Sequence, residues 1–115
     1  MASTYLKTES VAGALVATPQ GEKIAERECN VLLTEISDEA AKHGWKVATD
    51  LSEVMLLASV GLGMFVTLNR DCKKNGGKLV VFGLSPELRS LLQITRLEKV
   101  FGIAKDREAA LKMLA

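Results

Sequence analysis

The feature that most limits the fold is the alternation of two short apolar runs with segments of helical period. Trp45-Lys-Val-Ala-Thr-Asp50 and Lys78-Leu-Val-Val-Phe82 are of strand length, and the second is rich in β-branched residues. Val47 and its neighbours need cover on two faces, which places their strand at the centre of a sheet. Ahead of it, from about Lys23 to His43, Ala25, Cys29, Leu32, Leu33, Ile36 and Ala40 share one face of a helix. The chain opens differently. Tyr5-Leu-Lys-Thr-Glu-Ser-Val11 and Ala14-Leu-Val-Ala-Thr18 flank Ala12-Gly13 as an antiparallel pair, so the sheet is mixed. The expectation is an α/β fold, a mixed central sheet of four to five strands with about four helices, in a single domain over residues 1–115.

Local signals set the boundaries. Thr18-Pro-Gln-Gly-Glu22 breaks the strand pattern, and Gly44 is placed to end the first helix in a left-handed conformation. Lys73 and Lys74 suit the negative end of the next helix, and Gly76-Gly77 stops it. Ser85-Pro86-Glu87 is a compact helix start, with Leu88, Leu91, Leu92 and Thr95 as its inward stripe. Val100-Phe-Gly-Ile-Ala104 is expected as an edge strand. Asp106 then caps a last helix that buries Ala110, Leu111 and Leu114.

Composition removes several functions. A chain of 115 residues that is 48% hydrophobic can bury a core without metal or disulfide support. A net charge of +1 and 4% aromatic content argue against direct nucleic-acid binding by charge or base stacking. Cys29 and Cys72 fall on separate helices with no CxxC pairing and are expected as buried free thiols. No charged leader precedes an apolar core at the N-terminus, and no apolar run reaches the roughly 18 residues of a membrane span. A soluble, cytoplasmic protein is the expectation. The only histidine, His43, sits near a helix end as a surface cap, and Glu35, Asp38 and Glu39 form a solvated face. Gly61-Leu-Gly63 lacks the Gly-Lys-Ser/Thr ending of a nucleotide loop. Neither catalytic residues, nor a metal set, nor a cofactor is expected.

The chemistry concentrates in Asp50-Leu-Ser-Glu-Val-Met-Leu-Leu-Ala-Ser-Val-Gly-Leu-Gly-Met-Phe65, where a strand ends in an acid and Ser59 opens an amphipathic helix. At about 100° per residue, Gly61, Met64, Phe65, Leu68 and Cys72 face the core, and Ser59, Leu62, Gly63 and Val66 point away from it. Apolar side chains beside an outward serine suit a docking patch better than a solvated face. Taken alone, Ser59 could simply cap the helix, worth about 1 kcal/mol; Ser52 and Ser85 are a turn and a cap residue. The order D-L-S-x-V-x-x-[apolar]-x-S-x-G-L-G resembles the signature of STAS domains, the family of bacterial anti-sigma factor antagonists. Asn75-Gly-Gly-Lys-Leu-Val-Val-Phe-Gly-Leu-Ser-Pro-Glu-Leu-Arg-Ser-Leu-Leu92 and Thr95-Arg-Leu-Glu-Lys-Val-Phe-Gly-Ile103 resemble the elements that follow in that family. Two positions depart from its pattern: Ala58 stands where many members have Asp, and Thr18-Pro-Gln-Gly21 replaces the usual turn.

The resemblance implies a fold and a switch. Ser59 maps onto the family's phosphorylated serine, with Leu62, Gly63 and Val66 as partner contacts, Asp50 and Ser52 at the patch edge, and Ala58 just before the switch. The implied partners are an anti-sigma factor serine kinase and a serine phosphatase, with no direct nucleic acid and no membrane insertion. The Leu62/Val66 patch leaves a homodimer open. An alternative is a STAS module that binds without a phosphorylation cycle, in a transporter or sensory assembly, or one that holds a small ligand.

Overall fold

The computed structural model describes residues 6–21, 23–24 and 26–114. Tyr5, Glu22 and Ala25, expected in the first strand, the break and the first helix, lie outside the described residues. In chain order the elements are β1 (Leu6–Val11), β2 (Ala14–Pro19), β3 (Lys23–Ile24), α1 (Glu26–Ala40), β4 (Lys46–Asp50), β5 (Leu56–Leu57), α2 (Ser59–Lys74), β6 (Lys78–Phe82), α3 (Pro86–Ile94), β7 (Gly102–Ile103) and α4 (Arg107–Leu114). Short 3₁₀ turns follow α1 at Ala41–His43 and α3 at Leu97–Lys99.

The five-stranded sheet runs β1-β2-β4-β6-β7. Ala12 and Gly13 both take positive φ, 51° and 82°, so the β1–β2 turn matches the twist of its antiparallel strands. The remaining pairings are parallel, with Val47 beside Leu79 and Ala48 beside Val80. The alternation explains the apolar runs. Leu15, Ala17, Val47, Leu79 and Val81 pack on the side of Ile36, Phe65, Leu68 and Leu92, and Val16, Ala48, Val80 and Phe82 lie under Ala110 and Leu114 of α4. Each large side chain buried here, Phe65 or Leu68 for example, contributes about 1.5–3 kcal/mol. Asn69, also buried, ties α2 to the turn after α3 by donating Nδ2–H to the Val100 carbonyl at 2.9 Å.

The first helix is shorter than its period predicts. Lys23–Ile24 leaves the helix and pairs in parallel with β5, and Ile24 is buried by that pairing, not by a helical face. At the other end the chain tightens into a 3₁₀ turn, where half-buried His43 donates Nδ1–H to the Glu39 carbonyl at 2.8 Å before Gly44 turns left-handed at φ 64°. In α3, Leu88 and Leu92 are buried and Leu91 is half-buried. Thr95, expected inward, is exposed and turns its hydroxyl back to the Leu91 carbonyl at 2.8 Å. The edge strand is confined to Gly102–Ile103, and Leu111 of α4 is half-buried.

Candidate functional site

The loop from β4 to α2 is pinned at several points. Leu51 donates its N–H to the Phe82 carbonyl at 2.9 Å, and the Asp50 carboxylate accepts the Ser52 N–H at 2.9 Å in an Asx turn. Gly83 crosses against that turn at φ +72°, where a Cβ would stand 2.8 Å from Asp50 Oδ1. Buried Val54 anchors the loop from beneath. The chain then pairs β5 against β3 in a separate two-stranded sheet, and Ala58 donates its N–H to the Ile24 carbonyl at 3.0 Å, so the start of α2 is fastened to β3.

Ala58, not Ser59, is the N-cap. It has φ −70° and ψ 164°, and its carbonyl accepts from Gly61 at 2.8 Å and Leu62 at 3.2 Å. Ser59 is the first helical residue, so the capping role open to it in the sequence is not the one it fills. Its hydroxyl is exposed and takes no hydrogen bond among the described residues, and the N–H groups of Ser59 and Val60 are unpaired there as well. By contrast, Ser85 Oγ accepts the Leu88 N–H at 3.2 Å and Asp106 Oδ1 accepts the Ala109 N–H at 2.8 Å, as expected of caps. The first turn of α2 contains no acid. The result is a free hydroxyl above open N–H groups at the positive end of a 16-residue helix, chemistry that accommodates an added phosphate.

Ser59, Gly63 and Val66 share the exposed face, as the helical period predicts. Leu62 does not: it is half-buried and packs on the core, because it lies on the flank of the stripe. Three exposed apolar residues escaped the sequence reading, Met55 (53%), Leu56 (62%) and Val60 (46%). Their signal was the length of the apolar run between Asp50 and Ser59, longer than one loop can bury. Beside Val60, a groove of about 310 Å³ runs between α1 and α2 over Cys29, Leu33, Met64 and Thr67.

Asp50 shares its side of β4 with Ala48, the side covered by α4, and lines a polar recess of about 260 Å³ with Ser52, Lys7, Glu9, Thr18 and Arg107. Arg107 Nη1 lies 2.9 Å from Glu9 Oε2 in that recess. Asp50 and Ser52 thus line a charged recess on the α4 side of the sheet, and exposed apolar side chains surround Ser59. His43 precedes β4 and Ser59 follows it, so a strand about 13 Å long stands between them in the chain. Both cysteines are free and buried. Burial, then the Asp71 carboxylate, pushes the Cys72 thiol up to about 12; burial, then Glu28 and Glu26, raises that of Cys29. Neither is a thiolate at neutral pH. Among the described residues no group of three His, Cys, Asp or Glu is placed to hold a metal, and no helix is long and apolar enough to cross a membrane.

The sequence matches the STAS domain over residues 5–110. It is 27% identical over 105 residues, 91% of this chain and 90% of the other, to BtrV of Bordetella bronchiseptica, named as a candidate anti-sigma factor antagonist. The fold superposes on an anti-sigma factor antagonist from Mycobacterium paratuberculosis with a TM-score of 0.84 at 24% identity, covering 99% of this chain and 98% of that one. It also superposes on the phosphorylated form of the Bacillus cell fate determinant SpoIIAA, with a TM-score of 0.71 at 16% identity over 94% of this chain and 98% of that one.

Proposed function

Because the chain belongs to the STAS-domain family, we propose that it is an anti-sigma factor antagonist, a binding protein and not an enzyme, switched by phosphorylation of Ser59. The observation that carries this reading is the uncommitted Ser59 hydroxyl at the start of α2, set among exposed Met55, Leu56, Val60 and Val66. In the unphosphorylated form this face docks on an anti-sigma factor serine kinase and frees the sigma factor in the cytoplasm. The kinase supplies ATP. Ser59 Oγ forms a bond to the γ-phosphorus, the bond to the ADP oxygen breaks, and the hydroxyl proton passes to a base of the kinase. A serine phosphatase hydrolyses the ester and resets the cycle.

Charge explains why the switch acts on binding. Phosphoserine adds about −1.5 to −2 at pH 7. Toward the protein that charge meets the open N–H groups of α2 and leaves the fold intact. Toward the partner it sits among apolar side chains that docking would have to desolvate, at a cost that docking cannot meet.

The test is to incubate the protein with the serine kinases of its own genome and ATP, then locate the phosphate by mass spectrometry. Phosphate on Ser59, lost in Ser59→Ala, is the expected result. Absence of phosphate with every kinase, or its appearance on Ser52 or Ser85, overturns the proposal in favour of a module that binds without this cycle.

A further inference from the structure

Beyond Val66 the exposed stripe of α2 changes character. At about 100° per residue, Arg70, Lys73 and Lys74 fall within about 60° of the direction of Ser59, Gly63 and Val66. All three cations are exposed, and this face carries no acid, since half-buried Asp71 points toward the α1 side. The stripe is thus bipartite, with serine and apolar residues at its start and three positive charges at its end.

Part of this is ordinary helix chemistry, because Lys73 and Lys74 oppose the negative end of the helix dipole. Arg70 does not fit that account. It stands three and four residues before Lys73 and Lys74, spacings at which like charges repel and weaken a helix. Three exposed cations elsewhere sit beside acids: Lys42 lies 3.7 Å from Glu39, Lys112 lies 3.7 Å from Glu108, and Arg107 pairs with Glu9; others, Lys46, Lys78 and Arg89 among them, have no ion pair among the described residues. On α2 the pairing is poor. Arg70 Nε is 3.9 Å from Asp71, and Lys73 and Lys74 have no ion pair among the described residues. What sets α2 apart is concentration: three exposed cations and no acid on the face of the helix that presents Ser59 make a surface suited to an anionic counterpart.

We infer that the partner reading Ser59 also binds the cationic end of α2 through an acidic surface of its own. This rests on the docking role proposed above. At 1.5 Å per residue, Arg70 lies about 16 Å and Lys74 about 22 Å from Ser59 along the helix. The partner's carboxylates therefore stand about 16–22 Å from the pocket that receives the serine. That separation exceeds the screening length of about 8 Å at physiological salt, so the two halves act independently. The cationic end steers encounter and sets the association rate, and the apolar end holds the complex and sets dissociation.

The measurement is association and dissociation of the kinase that phosphorylates Ser59, held with a non-hydrolysable ATP analogue, at 50 and 300 mM salt. Arg70→Gln/Lys73→Gln/Lys74→Gln is compared with wild type and with Lys105→Gln/Lys112→Gln, just before and on α4, and circular dichroism verifies that each folds. The α2 variant should associate about tenfold more slowly at low salt, lose most of the salt dependence and dissociate at the wild-type rate. If the triple variant unfolds, Lys73→Gln/Lys74→Gln should show the same trend with smaller amplitude. Equal association rates for wild type and variants overturn the inference and leave the docking role standing. A kinase that phosphorylates Ser59 without forming a measurable complex overturns both. Loss of binding to anionic vesicles or duplex DNA, with kinase association unchanged, assigns the cations to another partner and overturns it too.

Discussion

Gly63→Ala separates folding from docking, because the substitution should move the two in opposite directions. Glycine inside a helix is about 0.8–1 kcal/mol worse than alanine. At Gly63 nothing offsets that cost within the protein, since an added Cβ meets no atom within 4 Å. The variant should therefore gain about 0.8–1 kcal/mol, which for a domain of this size raises the thermal midpoint by about 3–6 °C. The same methyl projects from the centre of the face that carries Ser59 and Val66. Overfilling a well-packed contact costs about 1–3 kcal/mol, so the affinity for the kinase should fall about 5- to 150-fold. Thermal unfolding followed by circular dichroism and titration calorimetry read the two effects on one preparation. A fall in midpoint would show that Gly63 is packed and that this face of α2 is turned inward. A rise in midpoint with unchanged affinity would show that the partner does not cover this face. Gly61, two residues earlier, is the counter-example, since its Cβ would lie 2.5 Å from Leu57 Cδ1 and 3.2 Å from Ile24 Cγ2. Gly61→Ala must shift the Leu57 side chain and press on Ile24, in the β3–β5 pair at the helix start, and it should not share the full gain.

Ser59→Asp should abolish kinase binding yet raise the thermal midpoint by about 1–5 °C, since an acid at the helix start gains about 0.3–1 kcal/mol from the dipole; a large drop would make Ser59 a structural residue. Ser59→Ala should bind like wild type and accept no phosphate, and a variant bound as poorly as Ser59→Asp would refute the switch. Gly77→Ala should cost about 3 kcal/mol or more and lower the midpoint by at least about 10 °C, because its Cβ would collide with the Trp45 backbone where β4 and β6 begin; an unchanged urea midpoint would contradict this. The Cys72 thiol, pushed up to about 12 from 9.0, is neutral in the folded state. Its contribution is complete below pH 9 and is lost as pH rises from there toward 12, at up to about 1.4 kcal/mol per unit. Urea midpoints at pH 8 and pH 10 should therefore differ more in wild type than in Cys72→Ala, and equal pH dependence would reject this assignment.

Much of the architecture is written in local chemistry. The strand runs around Val47 and Val80, the helical periods of α2 and α4, and the caps Ser85 and Asp106 depend on residues a few positions apart, and all appear where the sequence puts them. The run from Asp50 to Gly63 likewise carries its family signature and its outward serine in linear order. What failed were inferences about cover. Ile24 looks helical until a parallel partner, Leu57, takes it into β3, and Thr95 looks inward until its hydroxyl finds the Leu91 carbonyl.

The sequence by itself determined the α/β order, the family and the placing of Ser59 at a helix start, because period, capping and turn chemistry act within one or two turns of chain. Only the tertiary structure decided that Ala58 holds the cap and leaves the Ser59 hydroxyl free, that Leu62 leans into the core, and that Asp50 and Ser52 face a recess under α4. It also distinguished Gly61, pressed against Leu57 and Ile24, from Gly63, open to whatever docks there. Whether a side chain is covered depends on the element that packs over it, and that element is supplied by residues distant in sequence.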